Sequence, residues 1–201
     1  TYCKKDGNYV CWGKPRDQNA RRDLDKVHKL AIDGGMRVVT RCANAQGIRV
    51  AEKFLMYNEV ERDWKPEVTW IWGPSGAGKS RMCRELCGDC EDVYVKIDNG
   101  KWWDGYDGHD VVIIDDFRDT WWSCTYMLAL LDRYSCRVEV KGGMRSMLAR
   151  RMYVNTLFHP ENMYCGSGEP KAQLLRRIDR IVECVPEVPE VEEVIVDLLD
   201  V

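Results

Sequence analysis

Residues 73 to 80 read Gly73-Pro74-Ser75-Gly76-Ala77-Gly78-Lys79-Ser80, a complete G-x-x-x-x-G-K-[ST] phosphate loop. Glycines let such a loop curl so that successive backbone N–H groups face phosphate oxygens. Lys79 can then reach the β- and γ-phosphates, and the Ser80 hydroxyl can ligate Mg²⁺. A second stretch, Val111-Val112-Ile113-Ile114-Asp115-Asp116-Phe117, is an apolar run ending in two carboxylates. Downstream of a phosphate loop, the first acid is placed to hold the Mg²⁺ shell with Ser80, and the second to orient or deprotonate an attacking water. Adjacent acids repel each other unless a cation sits between them, which argues for a metal over a plain Asp-rich turn.

These residues need strands and helices to carry them. Val68-Thr69-Trp70-Ile71-Trp72 has the composition of a buried parallel strand, and Arg81 to Leu86 can continue as the helix whose N-terminus adds its dipole to the anion site. Residues 21–62 read as helical. Leu24, Val27, Leu30 and Ala31 form one apolar stripe, Gly34-Gly35 stops it, and Val50, Phe54, Leu55 and Tyr57 form another. From 63 to 185 strands and helices alternate as in an α/β domain. Residues 1–20 are polar and turn-rich, and 186–201 form an acidic tail with two prolines that is expected to be flexible.

Composition narrows the classes. With 201 residues, 45% of them apolar, the chain can bury one core plus a small satellite domain. It has no apolar run of about 18 residues and therefore no expected membrane span, and no N-terminal signal pattern is present. The net charge of −3 includes six acids and no base after Val185, which leaves +3 on the remainder. A mildly basic body is compatible with a nucleic-acid partner. Cys83, Cys87 and Cys90 make the only tight cysteine cluster among ten cysteines. They lack a fourth zinc ligand and read as free thiols in a reducing compartment.

The order of further motifs resembles the replication initiator (Rep) family of circular single-stranded DNA viruses, in particular its circovirus and cyclovirus group. Tyr2-Cys3-Lys4-Lys5 resembles the family's Y-C-x-K nuclease motif, and Pro15-Arg16, Gln18, Arg21 and Asp23-Leu24 resemble the segment after it. Lys101-Trp102-Trp103-Asp104-Gly105-Tyr106 matches a signature between the two nucleotide motifs. Val140-Lys141-Gly142-Gly143 resembles the family's pore hairpin, and Leu175-Arg176-Arg177-Ile178 its arginine-finger segment. The resemblance implies an α/β, AAA+ type superfamily 3 helicase core over 63–185, preceded by a helical oligomerisation domain over 21–62, with 1–20 ending a nuclease domain. It implies ATP and Mg²⁺ as cofactors, a homo-oligomeric ring (commonly a hexamer), single-stranded DNA as partner, and the host nucleus as location.

Roles come with that likeness. Tyr2 would attack a DNA phosphate, although the family's His-hydrophobic-His motif lies upstream of the tyrosine and is not among these residues. Lys141 would neutralise a DNA phosphate in the pore, or else be a solvated turn residue. Arg176 or Arg177 would reach a neighbour's phosphoryl group, while the other serves as a surface ion-pair partner. Trp102-Trp103 and Trp121-Trp122 read as core or interface in preference to base-stacking platforms.

The third nucleotide motif departs from the family's Thr-Ser-Asn before proline. The stretch reads Met152-Tyr153-Val154-Asn155-Thr156-Leu157-Phe158-His159-Pro160, and a register fixed by Pro160 puts Leu157 in the sensor asparagine's place. Asn155 would lie about 6.6 Å further back along a strand. It is expected to enter the site if the strand stops at Val154. The alternatives are a weakened, ATP-gated DNA-binding ring, favoured by Leu157, and a superfamily 3 helicase of an RNA virus. A small-molecule kinase fits least, since nothing resembles a lid.

Overall fold

A run of β-formers with no polar alternation has to be covered on both faces. The computed structural model of the chain, which describes residues 22–166, 168 and 170–186, places Val68 to Ile71 with 2% exposure or less. The Tyr2-Cys3-Lys4-Lys5 motif, the segment from Pro15 to Arg21 and the tail from residue 187 lie outside the described residues. In chain order the elements are α1 (Arg22–Cys42), α2 (Ala45–Asn58), β1 (Glu67–Trp72), α3 (Lys79–Cys87), β2 (Val93–Lys96), β3 (Val111–Phe117), α4 (Cys124–Leu131), β4 (Arg137–Val140), β5 (Gly143–Ser146), β6 (Arg151–Thr156), α5 (Lys171–Leu175) and β7 (Arg180–Glu183).

The chain divides into two compact units between Ala51 and Glu52, inside α2. In the first, α1 is broken at Gly35, whose φ of 62° and ψ of −166° leave the helical region. Glycine adopts that conformation without the penalty a Cβ would bring. Ala31, Val39 and Ala51 are buried there. No helix among the described residues is long and apolar enough to cross a membrane.

The second unit is built on a five-stranded sheet of order β2-β3-β6-β1-β7, and every pairing in it is parallel. This is the phosphate-loop type of core that the sequence implies. Period-two alternation sorts the side chains onto two faces. Trp70, Val112, Ile114, Met152 and Val154 pack with α4 residues Met127, Leu130 and Leu131. Ile71, Val111, Ile113 and Tyr153 pack with α3 residues Cys83 and Cys87. Each such large apolar side chain contributes about 1.5–3 kcal/mol on burial. The parity has a direct consequence: Asp115 follows Ile113, and Asn155 follows Tyr153, on the α3 face.

The tryptophans are mainly structural. Trp103 (0% exposed) stacks on Trp122 (8%) with ring centroids 5.6 Å apart, and Tyr94 also stacks on Trp103, at 5.8 Å. Trp102 is half-buried under the Lys101 ammonium, 4.7 Å above its ring.

The hairpin β4–β5 pairs Val140 with Gly143, leaving Lys141 and Gly142 as its turn. Its base is fixed by a buried ion cluster. Arg145 on β5 meets Glu59 at 2.6 Å and Asp107 at 2.6 Å, and Glu59 also accepts the Ser146 N–H at 2.6 Å. Breaking one partner of such a cluster leaves an uncompensated buried charge, so it holds the hairpin in one orientation. The Lys101–Tyr106 signature wraps the same hairpin: the Trp103 N–H donates to Glu139 O at 2.8 Å, and Asp104 receives the Lys141 N–H at 2.9 Å.

Candidate nucleotide-binding site

The phosphate loop leaves β1 at Gly73 and enters α3 at Lys79. Gly73 has φ 150°, and a Cβ there would lie 2.2 Å from the Cys184 carbonyl oxygen, so β7's end packs against the loop where only glycine fits. Cys184 also donates its thiol to Ala77 O at 2.7 Å. The Lys79 ammonium folds back onto the loop, donating to Gly73 O at 2.9 Å and Pro74 O at 2.7 Å. Phosphate oxygens would replace those two carbonyls. The first turn of α3 has N–H groups without helical partners, which suits that helix start to an anion.

The acid strand meets this helix directly. Ser80 Oγ donates to Asp115 Oδ1 at 2.8 Å, which brings together the two residues expected to share a metal. Both offer hard oxygen ligands, as Mg²⁺ requires, so the residues present fit that ion. Asp116 departs from strand geometry: its φ is 59°, in the left-handed region. The β3–β6 register slips between Ile114 and Phe117, which pair with Val154 and Thr156. Two acids therefore face the single residue Asn155, as in a β-bulge. A regular strand would send adjacent side chains to opposite faces. The bulge instead lets Asp115 meet α3 while Asp116 lines the cleft.

Asn155 ties the bulge together. Its Oδ1 accepts the Asp116 N–H at 2.6 Å. Its Nδ2 donates to Asp115 Oδ1 in a short contact, and lies 3.4 Å from Ser80 Oγ and 3.7 Å from Cys83 Sγ. Burial pushes the Cys83 thiol up to about 12, so it remains a neutral wall of the site. Asn155 reaches the acids without the early strand end expected for it, because β6 continues to Thr156. Register supplies the reach: Val154 pairs with Ile114, so the next residue already stands beside Asp115. Leu157, beyond the strand, lines the cleft.

That cleft measures ≈ 410 Å³ and its walls include Ser75, Gly78, Lys79, Ser80, Asp116 and Asn155. Arg118, which no sequence motif singles out, also lines it. Its guanidinium lies 2.8 Å from Asp116 Oδ1. Strand alternation gives no hint of this placement, because the bulge changes the parity on which such a reading depends. A second cleft of ≈ 450 Å³, which shares Gly76, Gly78 and Arg81 with the first, is also walled by Ala77, Met82, Val185 and Pro186.

The remaining expected residues lie apart from this cleft. Lys141 is 75% exposed at the hairpin turn, and its ammonium is 3.2 Å from Asp104 Oδ2. The Lys141 N–H, followed by the pull of its ammonium, holds the Asp104 carboxyl below its usual range. Arg176 is exposed at the end of α5. Arg177 is buried, donating to Gln173 O at 2.7 Å and to Asp132 in a short ion pair. Burial pushes the Asp132 carboxyl up, but the Arg133 N–H and the Arg177 guanidinium outweigh it, so the net shift is downward. Arg177 is thus an interior tie between α5 and the end of α4, and Arg176 is the arginine left facing outward. Tyr2 lies outside the described residues.

A family model described as RNA helicase matches residues 69–156, which contain β1, the phosphate loop, the acid strand and Asn155. The chain is 37% identical over 191 residues to the replication-associated protein of Porcine circovirus 2, covering 90% of this chain and 60% of that protein. It is 42% identical over 187 residues to the replication-associated protein of Beak and feather disease virus, covering 90% and 62%. With the replication-associated protein of Human associated cyclovirus 1 it shares 31% over 191 residues, covering 89% and 67%. The chain therefore spans about three-fifths of the length of the first two of these proteins.

Proposed function

Because the chain belongs to the replication-associated protein family of circoviruses and cycloviruses, we propose that its second unit is the motor of a viral rolling-circle replication initiator, hydrolysing ATP to move on single-stranded DNA. The observation that carries this reading is the convergence of Lys79, Ser80, Asp116 and Asn155 on one cleft, with Asp115 bonded to two of them. In it, the Ser80 hydroxyl meets Asp115 at 2.8 Å while Asn155 holds both acids. Loop N–H groups and Lys79 bind the phosphates, and Asp116 orients the attacking water. Asn155 fixes the acids and offers its amide to the reacting group. Ser80 and Asp115 would hold a Mg²⁺ ion, which would supply neutralisation of charge on the phosphates. The nucleoside is assigned to the second cleft, against Met82, Val185 and Pro186.

Arg176 is proposed to reach the phosphoryl group of an adjacent copy in a ring, which makes hydrolysis depend on assembly. Tyr2 is assigned the DNA-nicking role on the likeness of Tyr2-Cys3-Lys4-Lys5 alone, and the host nucleus is the proposed location on the family likeness. The weakened-ring alternative rested on Leu157, and Asn155 supplies the polar group that reading lacked. The RNA-virus alternative sits poorly with relatives that are replication-associated proteins of circoviruses and cycloviruses.

Lys141 is the proposed DNA contact, standing out from a hairpin whose base is fixed. Lys141→Ala is expected to weaken single-strand binding about equally across sequences and to lower the slope of log affinity against log salt by roughly one unit. Basal ATP turnover should persist while its stimulation by single-stranded DNA is lost. Unchanged binding and stimulation would reduce Lys141 to a turn residue.

A further inference from the structure

We infer that Arg118 is a phosphate-contacting residue of the nucleotide site, reading the terminal phosphoryl group from within the same subunit; this rests on the nucleotide reading above. The guanidinium is anchored independently of the acid it touches. Its Nη1 donates to Asp116 O and to Phe117 O, both at 3.0 Å. Those carbonyls belong to the bulge itself, so the group is held at the cleft wall by backbone. Its Nη2 faces Asp116 Oδ1 at 2.8 Å.

The two partners differ in exposure. The Arg118 side chain is 29% exposed and that of Asp116 is 66%, so this ion pair sits at the solvent edge, where such pairs are weak. A phosphoryl oxygen entering the cleft carries more charge than a carboxylate oxygen and suits the planar guanidinium fork. The other arginine on this wall, Arg81, is 67% exposed and 3.6 Å from Glu85 along its own helix. Arg118 is therefore the arginine of this wall that meets Asp116 directly.

Exchange of partners links binding to chemistry. While Nη2 holds Asp116, that carboxylate oxygen is engaged. When Nη2 turns to a terminal phosphoryl oxygen, Asp116 is released to accept a hydrogen bond from the attacking water. A diphosphate has no oxygen at that position and leaves the pair closed.

The test compares affinities of the full chain for ADP and for a non-hydrolysable triphosphate analogue. The unaltered protein should prefer the triphosphate, and Arg118→Ala should weaken triphosphate binding by roughly tenfold or more while changing ADP binding by less than about twofold. Added guanidinium ion should restore part of the preference in Arg118→Ala. Arg118→Lys, a point charge without the fork, should fall between the two. Lys79→Ala should weaken both nucleotides, which marks the nucleotide reading as sound whatever Arg118 does. An unchanged preference in Arg118→Ala, or an equal loss for both nucleotides without guanidinium rescue, would overturn the assignment of Arg118 alone. Absence of nucleotide binding by the unaltered protein would overturn both readings.

Discussion

Asn155→Ala is expected to lower the maximal rate of ATP hydrolysis by about 10²–10³, with a much smaller effect on nucleotide affinity. Two losses combine. The amide proposed to contact the reacting group is gone, and the Asp116 N–H, held at 2.6 Å by Asn155 Oδ1, loses its acceptor inside a bulge. An unsatisfied N–H of this kind costs about 1–3 kcal/mol. Here the cost falls on the backbone that aims Asp115 and Asp116. Leu157→Asn should change little, because the register already places Asn155 beside Asp115. Asp116→Asn should bind ATP normally and hydrolyse it about 10² more slowly or worse. Steady-state turnover alongside nucleotide titration separates rate from binding. Normal turnover by Asn155→Ala would remove it from the catalytic set.

Arg176→Ala should lower turnover by roughly 10³ or more, the usual worth of an arginine supplied to a phosphoryl group by a neighbour. Its position fits that role: it is exposed and contributes nothing to its own cleft, whereas Arg177 is committed to Asp132. Mixing Arg176→Ala subunits with Lys79→Ala subunits should therefore recover activity. A junction with an intact pocket on one side and an intact arginine on the other is complete. Specific activity of the unaltered protein should also climb with concentration. Arg177→Ala is expected to act differently, lowering the melting temperature because it removes the guanidinium paired with Asp132. An Arg176→Ala protein as active as the original, or no recovery on mixing, would rule out a shared site.

The parts of this site that were legible in the sequence are those where local composition and final position coincide. The phosphate loop is one contiguous stretch whose geometry is set by its own glycines, and the apolar runs before it and before Asp115-Asp116 can only be interior strands. Strand parity then carried Asp115 to the right face. What escaped depended on pairing between distant segments. Whether Asn155 or Leu157 stands beside the acids is decided by β3–β6 register, which no count along one strand reveals. Arg118 escaped because the bulge at Asp116 breaks the alternation that would have assigned it a side. Arg177 looked like a surface charge next to its neighbour, yet a carboxylate 45 residues away, Asp132, draws it inward. The buried Arg145–Glu59–Asp107 cluster likewise joins three segments with no local signature.

The cleft is proposed to hydrolyse ATP in response to single-stranded DNA. The most direct test is phosphate release by the purified chain with and without single-stranded DNA, beside Lys79→Ala under identical conditions. The expected result is measurable basal turnover, stimulation by DNA of any sequence that fades as salt rises, and no activity above background for a folded Lys79→Ala. Turnover by Lys79→Ala equal to that of the unaltered protein, or an unaltered protein that binds ATP yet never hydrolyses it at any concentration with DNA present, would contradict it.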